Sequence, residues 1–389
     1  MYIFIRIVLS IVKVLSKIMY KVLVFGMTEN PGGVESVIIN YYKRLQNKKI
    51  HFDFLCNTKS KIAYEDLLIN MHSKVYKITA RSKNFFNYYK ELYSFFKEHA
   101  HEYDCIWVNV NNLVNIDYLI MAKKFGIKKR IIHSHNSRLM EKGIKANVKK
   151  IIHVVNKKRL SNYATDYWAC SLDAAKWFYT DSLLKSTKII RNAIDSRKML
   201  FNMHKREKIR QKYHLEDSLV IGNVGRLQLQ KNQKFCLKVI RSLQVVNPNV
   251  KMVFVGEGPD HAKLVELVNK YRLNSKVLFV GVQEDIEGWL SAFDTFLFPS
   301  LFEGLPLALL EAQANGVPVV ASSDAIPQDV KINRNFKFLS LNQNISYWLE
   351  YILKTKREYN QKKIYENFCK SGYEINKAAS ELENIFINE

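Results

Sequence analysis

The chain has 389 residues, 48 % of them apolar and 25 % charged, a globular composition that excludes a disordered, collagen-like or low-complexity protein. Five scattered cysteines without a CxxC pair exclude a zinc ribbon and a disulfide scaffold, and they fit a reducing compartment. The net charge of +24 is concentrated: residues 1–200 hold 35 Lys and Arg against 15 Asp and Glu, the remainder 25 against 21, so the first half is expected to face something anionic, be it nucleic acid, lipid headgroups or a phosphorylated substrate.

Residues 1–20 read MYIFIRIVLSIVKVLSKIMY. Arg6, Lys13 and Lys17 interrupt the ~18 apolar residues that a spanning helix needs, and no small-residue cleavage site follows. With Lys21, these cations line one helical face, the pattern of a helix lying in an anionic membrane interface. The alternative is a native start at Met19, the extension being a translation artefact.

From Lys21 onward, short and nearly continuous apolar runs alternate with helical patterns. The runs are 21–26, 51–55, 104–108, 130–134, 166–170 and 187–191, then 219–225, 250–256, 276–281, 294–299 and 317–322. Such runs suit strands buried on both faces of a parallel sheet. Between them, VESVIINYYKRL (34–45) places Val34, Ile38, Tyr41 and Leu45 on one helical face. The alternation predicts two doubly wound α/β domains with the boundary in 191–202. Ligands of such sheets bind beyond the carboxyl ends of the strands, so two sheets facing each other would put the site in the cleft between them. The expected layout is an amphipathic extension over 1–19, one domain over 20–195, a second over 196–365, and a C-terminal helix over 366–389 that packs back on the first domain.

Four stretches carry polar chemistry at predicted strand ends. FGMTENPGGVES (25–36) ends a strand, turns at Gly32-Gly33 and opens a helix whose N–H groups suit a phosphate or a hydroxyl-rich ligand. VIGNVGRLQLQKNQ (220–233) sets Arg226 and Lys231 after a buried strand and before a helix near Asn232, positions suited to a diphosphate. FPSLFEGLPLALLEAQANGVPVVAS (298–322) places Glu303 and Gly304 in a loop, Pro306 in a first helical turn, Glu311 inside the helix, and Asn315-Gly316 at its stop. The N–H groups of Leu305, Leu307 and Ala308 are expected to favour an anion by ~0.3–1 kcal/mol, and the two carboxylates suit hydroxyl groups, since an ionised carboxylate only accepts. RIIHSHNSR (130–138) ends a strand with His133 and His135.

Together NPGGVES, HSHNS, NVGRLQLQKNQ, FVGEGPD (254–260) and FEGLPLALLEAQANGVPVVAS, in this order, give the chain from Lys21 a resemblance to retaining glycosyltransferases of family 4, which have the GT-B fold. Within that family it is similar to bacterial enzymes of capsular and exopolysaccharide synthesis. The family's E-x7-E pattern is matched by Glu303 and Glu311. The resemblance implies that Arg226 and Lys231 hold the diphosphate of a nucleotide sugar, most often UDP-linked, with the backbone at Gly32-Gly33 and at Gly304, Leu305 and Leu307 helping. It implies that Glu311 binds the ribose, Glu303 the donor sugar, and His135 the region of the reacting carbon, with His133 the alternative register. Gly256 and Gly258 would line the nucleotide pocket, and the loop at Val282 would lie near the base. Retention would follow from attack on the face the diphosphate leaves, without a dedicated nucleophile. No D-x-D motif occurs, and the resemblance implies a metal-independent transferase without a cofactor.

The expected partners are a nucleotide-sugar donor, a lipid-linked or oligosaccharide acceptor and an anionic membrane surface at the cytoplasmic face, with the basic stretch 142–160 joining the extension there. After Ser322 no strong glycine loop remains, a departure from the family. A sugar-nucleotide epimerase of the same fold is one alternative. A basic nucleic-acid-binding protein is another, although no recognition-helix, zinc-finger or RNA-binding motif is present.

Overall fold

The computed structural model describes residues 19–46, 49–138, 144–324 and 326–388. Of the extension predicted over 1–19, only Met19 falls among them. The chain divides into two units, one formed by residues up to Arg191 together with Ile375 onward, the other by Asn192–Glu374.

The first unit is built on a parallel seven-stranded sheet in the order β3-β2-β1-β4-β5-β6-β7. Its strands are β1 (Tyr20–Phe25), β2 (Ile50–Cys56), β3 (Val75–Lys77), β4 (Cys105–Val110), β5 (Lys129–Ser134), β6 (Asp166–Ala169) and β7 (Lys188–Ile189). The second unit has a parallel six-stranded sheet, β10-β9-β8-β11-β12-β13. Here the strands are β8 (Leu219–Val224), β9 (Val250–Val255), β10 (Val277–Phe279), β11 (Thr295–Phe298), β12 (Val319–Ser322) and β13 (Phe336–Leu339). Five of the helices matter below: α1 (Gly33–Leu45), α2 (Ile144–Arg159), α3 (Gln233–Val246), α4 (Leu307–Asn315) and α5 (Ile375–Asn388).

Strand order reverses between β1 and β4 in the first sheet and between β8 and β11 in the second. At such a switch point the connections leave in opposite directions and open a crevice at the carboxyl ends of the strands. The loop after β1 carries Gly32 and Gly33, while the loops after β8 and β11 carry Lys231 and Glu303. Topology thus brings three of the four polar stretches to switch points; the fourth, His133–His135, ends β5 beside β4.

Strands β3 and β13 were not among the apolar runs. Both are edge strands of three and four residues with a lysine in them, VYK and FKFL, too short and too polar to read as buried sheet. The predicted domain limits also move. Asn192 donates to the Leu305 carbonyl at 3.1 Å, and Glu374 accepts from the Ser196 amide and hydroxyl; all three bonds lie within the second unit, which begins at Asn192 and not at Ser196. The helix Gln361–Ser371 packs on α4, and Asn367 reaches Asn333 at 3.3 Å. The second unit therefore runs to Glu374 instead of 365. Only α5 returns to the first unit. It packs on α1, with Arg44 Nε 2.8 Å from Asn376 Oδ1, and inserts Phe386 among Tyr20, Phe52, Trp107 and Trp168 at ring-centroid distances of 5.4–6.3 Å.

Candidate functional site

In the second unit, the loops after β8 and β11 are tied to each other. The Leu301 amide donates to the Gln230 carbonyl at 2.8 Å, Gln230 Nε2 to the Phe302 carbonyl at 3.0 Å, and Asn232 Nδ2 to the Pro299 carbonyl at 3.0 Å. Asn232 accepts a left-handed backbone (φ +53°), which ends the turn Leu229–Lys231 and starts α3 at Gln233. Lys231 Nζ lies 2.8 Å from Glu303 Oε1 and 4.7 Å from the centroid of Phe298. Both partners are largely buried, at 16 % and 7 % side-chain exposure, so the ammonium is held by a carboxylate and a ring face within a tight loop pair. Arg226, predicted to share the diphosphate, is exposed; the structure holds one of the two cations in the loop pair and leaves the other at the surface.

Helix α4 begins beside this pair. Pro306 is the cap residue, one position ahead of its predicted place in the first turn, and the helix stops at Gly316 (φ +79°) as expected. The N–H groups of Leu307 and Ala308 have no intrahelical acceptor. Glu311 follows Leu307 by four residues and so lies on the same helical face, one turn on. Burial pushes its carboxyl up to about 7. Glu311 also lines an open pocket of about 400 Å³ together with Arg197, Lys198, Met199 and the segment 284–287. Lys205 neutralises two acids of that segment, at 2.9 Å from Asp285 and 2.8 Å from Glu287.

Gly256 and Gly258 have a packing reason. A Cβ on Gly256 would collide with the Gly225 carbonyl oxygen, and one on Gly258 with that of Leu227. The loop after β9 is therefore drawn onto the loop after β8, where Leu227 N–H donates to the Glu257 carbonyl at 3.0 Å. Val282, in the loop after β10, is 72 % exposed.

In the first unit, Gly33 opens α1, and no atom lies within 4 Å of where its Cβ would be; the packing makes no demand for glycine there. Gly32 abuts Glu35, whose carboxylate is hydrogen-bonded by Thr28 at 2.5 Å. The two histidines differ. His133 is completely buried, stacked on Trp107 at 5.8 Å and edge-on to Trp168. His135 lies at the strand end, 8 % exposed, its Nε2 2.8 Å from Asn109 Oδ1. Burial holds both neutral, His133 well below the ordinary value and His135 at about 3. Sequence reasoning missed Asn109, Asn192 and Gln230. All three are amides at strand ends or loop starts, and the polar run after the apolar stretch CIWV was the one available signal.

Residues 205–374 match the family described as Glycosyl transferases group 1. The chain is 28 % identical over 375 residues to the putative glycosyltransferase EpsF of Bacillus subtilis, covering 92 % of this chain and 94 % of EpsF. It is 30 % identical over 200 residues to the capsular polysaccharide biosynthesis glycosyltransferase CapH of Staphylococcus aureus, covering 49 % and 54 %. Among solved structures, Anabaena HepE in complex with UDP and glucose superposes with a TM-score of 0.76 at 19 % identity, over 95 % of this chain and all of HepE. The two sheets are those of the GT-B fold, and the span matching group 1 glycosyl transferases contains every second-unit site residue named above except Asn192 and the pocket's Arg197, Lys198 and Met199.

Proposed function

We propose that the protein is a retaining glycosyltransferase of the family 4 type, acting in capsular or exopolysaccharide synthesis, that moves a sugar from a UDP-sugar to a lipid-linked or oligosaccharide acceptor. The observation that carries this reading is the arrangement on one switch point of a buried ammonium (Lys231), an open helix N-terminus (Leu307) and a carboxylate one turn on (Glu311). Breaking the bond between the anomeric carbon and phosphate builds negative charge on the diphosphate, which the ammonium and the amide groups stabilise without reorganisation. The Glu311 carboxylate suits the ribose, whose hydroxyls donate to it, and leaves the phosphates to Lys231. Glu303 receives hydroxyls of the donor sugar, and Arg226 reaches the diphosphate from the surface; within the first unit, the bare backbone at Gly33 offers amide groups to a ligand. The leaving phosphate oxygen takes the acceptor proton, so no residue is assigned as nucleophile. We assign no metal or cofactor to the reaction.

An anionic membrane surface is the third partner in this reading, after donor and acceptor. Helix α2 exposes Val148, Ile151 and Val155 at 52 %, 65 % and 49 %, spaced to fall on one face. Lys145, Lys150, Lys158 and Arg159 are exposed around them, and the opposite face is anchored by His153 and Asn156 to the backbone of Leu113. Apolar residues rimmed by cations on an anchored helix suit the headgroup region of anionic lipid. No helix among the described residues is long and apolar enough to cross a membrane. Cosedimentation with phosphatidylglycerol vesicles should be weakened by Ile151→Asp with Val155→Asp; unchanged binding would remove the membrane from the account. For the transferase itself, UDP-glucose, UDP-galactose and UDP-N-acetylglucosamine are to be screened for thermal stabilisation and for transfer to a sugar-diphospholipid. The donor should raise the unfolding midpoint by mass action. No shift with any of them at millimolar concentration would overturn the reading.

A further inference from the structure

At the switch point of the first sheet, Asn109 sits near the end of β4, 2 % exposed and paired in register with His133 of β5. Its amide nitrogen donates to two backbone carbonyls, those of Phe25 at 3.2 Å and Trp107 at 3.3 Å. Carbonyls only accept, so the amide has one orientation and Oδ1 faces the other way, 2.8 Å from His135 Nε2. An amide oxygen also only accepts. The proton of the neutral imidazole is therefore on Nε2, and Nδ1 carries a bare lone pair. That Nδ1 is buried and has no hydrogen-bond partner among the described residues. The titratable neighbour, His133, lies 4.1 Å away between ring centroids and is itself unbonded at both nitrogens. The fold keeps the room for this arrangement: Gly26 has φ +134°, and a Cβ there would stand 2.7 Å from both Cβ and the carbonyl oxygen of Asn109.

A buried acceptor without a donor is costly unless something fills it. We propose that Asn109 is a positioning residue that locks His135 in the Nε2–H tautomer, so that Nδ1 is offered as a pure acceptor to a substrate hydroxyl. The inference rests on the transferase reading for the identity of that hydroxyl, which belongs to a sugar. Asn109 does not touch substrate and acts through His135.

The first test needs no substrate. In the full-length protein labelled with 15N-histidine, the His135 side chain should give the signal of an unprotonated Nδ1 and a protonated Nε2 between pH 6 and 8. A protonated Nδ1 would overturn the proposal. The second test uses the UDP-sugar donor from the screen above. Asn109→Leu should lower kcat/KM by roughly 10–100-fold while UDP affinity changes less than twofold. Asn109→Asp would set a carboxylate oxygen against the Phe25 and Trp107 carbonyls, so it should not restore activity at pH 8. In Asn109→Leu the His135 nitrogen signals should move away from the pure Nε2–H form, a change that a packing role alone would not produce. Wild-type rates for Asn109→Leu or His135→Gln would overturn the proposal. A wrong tautomer with transfer intact removes only this inference; the right tautomer in a protein that transfers no sugar removes only the transferase reading.

Discussion

Glu311→Gln exchanges a carboxyl pushed up from 4.5 to about 7 by burial for a neutral group of the same shape. Because the folded-state value is the raised one, the native protein binds this proton more tightly than the unfolded chain. The group's contribution is most favourable below about pH 4.5 and is lost as pH rises through 7. The gap between the two values corresponds to about 3 kcal/mol as a ceiling, and the partial exposure of Glu311 on its pocket reduces the expected effect to about 1–2 kcal/mol. The variant should therefore match the wild type in urea unfolding at pH 4.5 and exceed it by that amount at pH 8. Ribose hydroxyls donate more strongly to the ionised carboxylate than to the protonated one, so nucleotide binding should draw the proton off. Wild-type UDP affinity, by calorimetry, should then fall below pH 7 more steeply than that of the variant, in which only the diphosphate titrates, and at pH 8 the variant should bind UDP more weakly. A stability difference independent of pH would refute the burial argument. Parallel pH profiles of UDP affinity would refute the ribose assignment.

Lys231→Ala removes the one buried cation of the loop pair and should lower turnover by roughly 10²–10³, measured as sugar transfer at saturating donor; a loss under tenfold would shift the diphosphate away from it. Phe386→Ala empties the ring cluster of Tyr20, Phe52, Trp107 and Trp168 and should cost about 3–5 kcal/mol of first-unit stability. Equal unfolding midpoints would mean that α5 does not hold that core.

The sequence made the central strands legible because residues buried on both faces leave an uninterrupted apolar run, as in VKMVFV of β9. It hid β3 and β13, short edge strands in which Lys77 is ion-paired with Glu65 and Lys337 is exposed. Glu303 and Glu311 were visible through the helix start at Pro306 and the stop at Gly316, which fix their phase. Arg226 and Lys231 looked alike in the chain; only the pairing of Lys231 with Glu303, and the exposure of Arg226, separates them. His133 and His135 were indistinguishable by type and spacing, and what divides them is a tryptophan cage from β4 and β6 that no local pattern encodes. Asn109 could not be singled out at all, since its role depends on three acceptors and donors from β1, β4 and the end of β5.

A crystal structure with UDP tests the donor site most directly. The account predicts the diphosphate against Lys231 Nζ and the amide groups at Leu307, with the ribose hydroxyls on Glu311. Nucleotide bound away from these three groups, or no nucleotide at millimolar concentration, would contradict it.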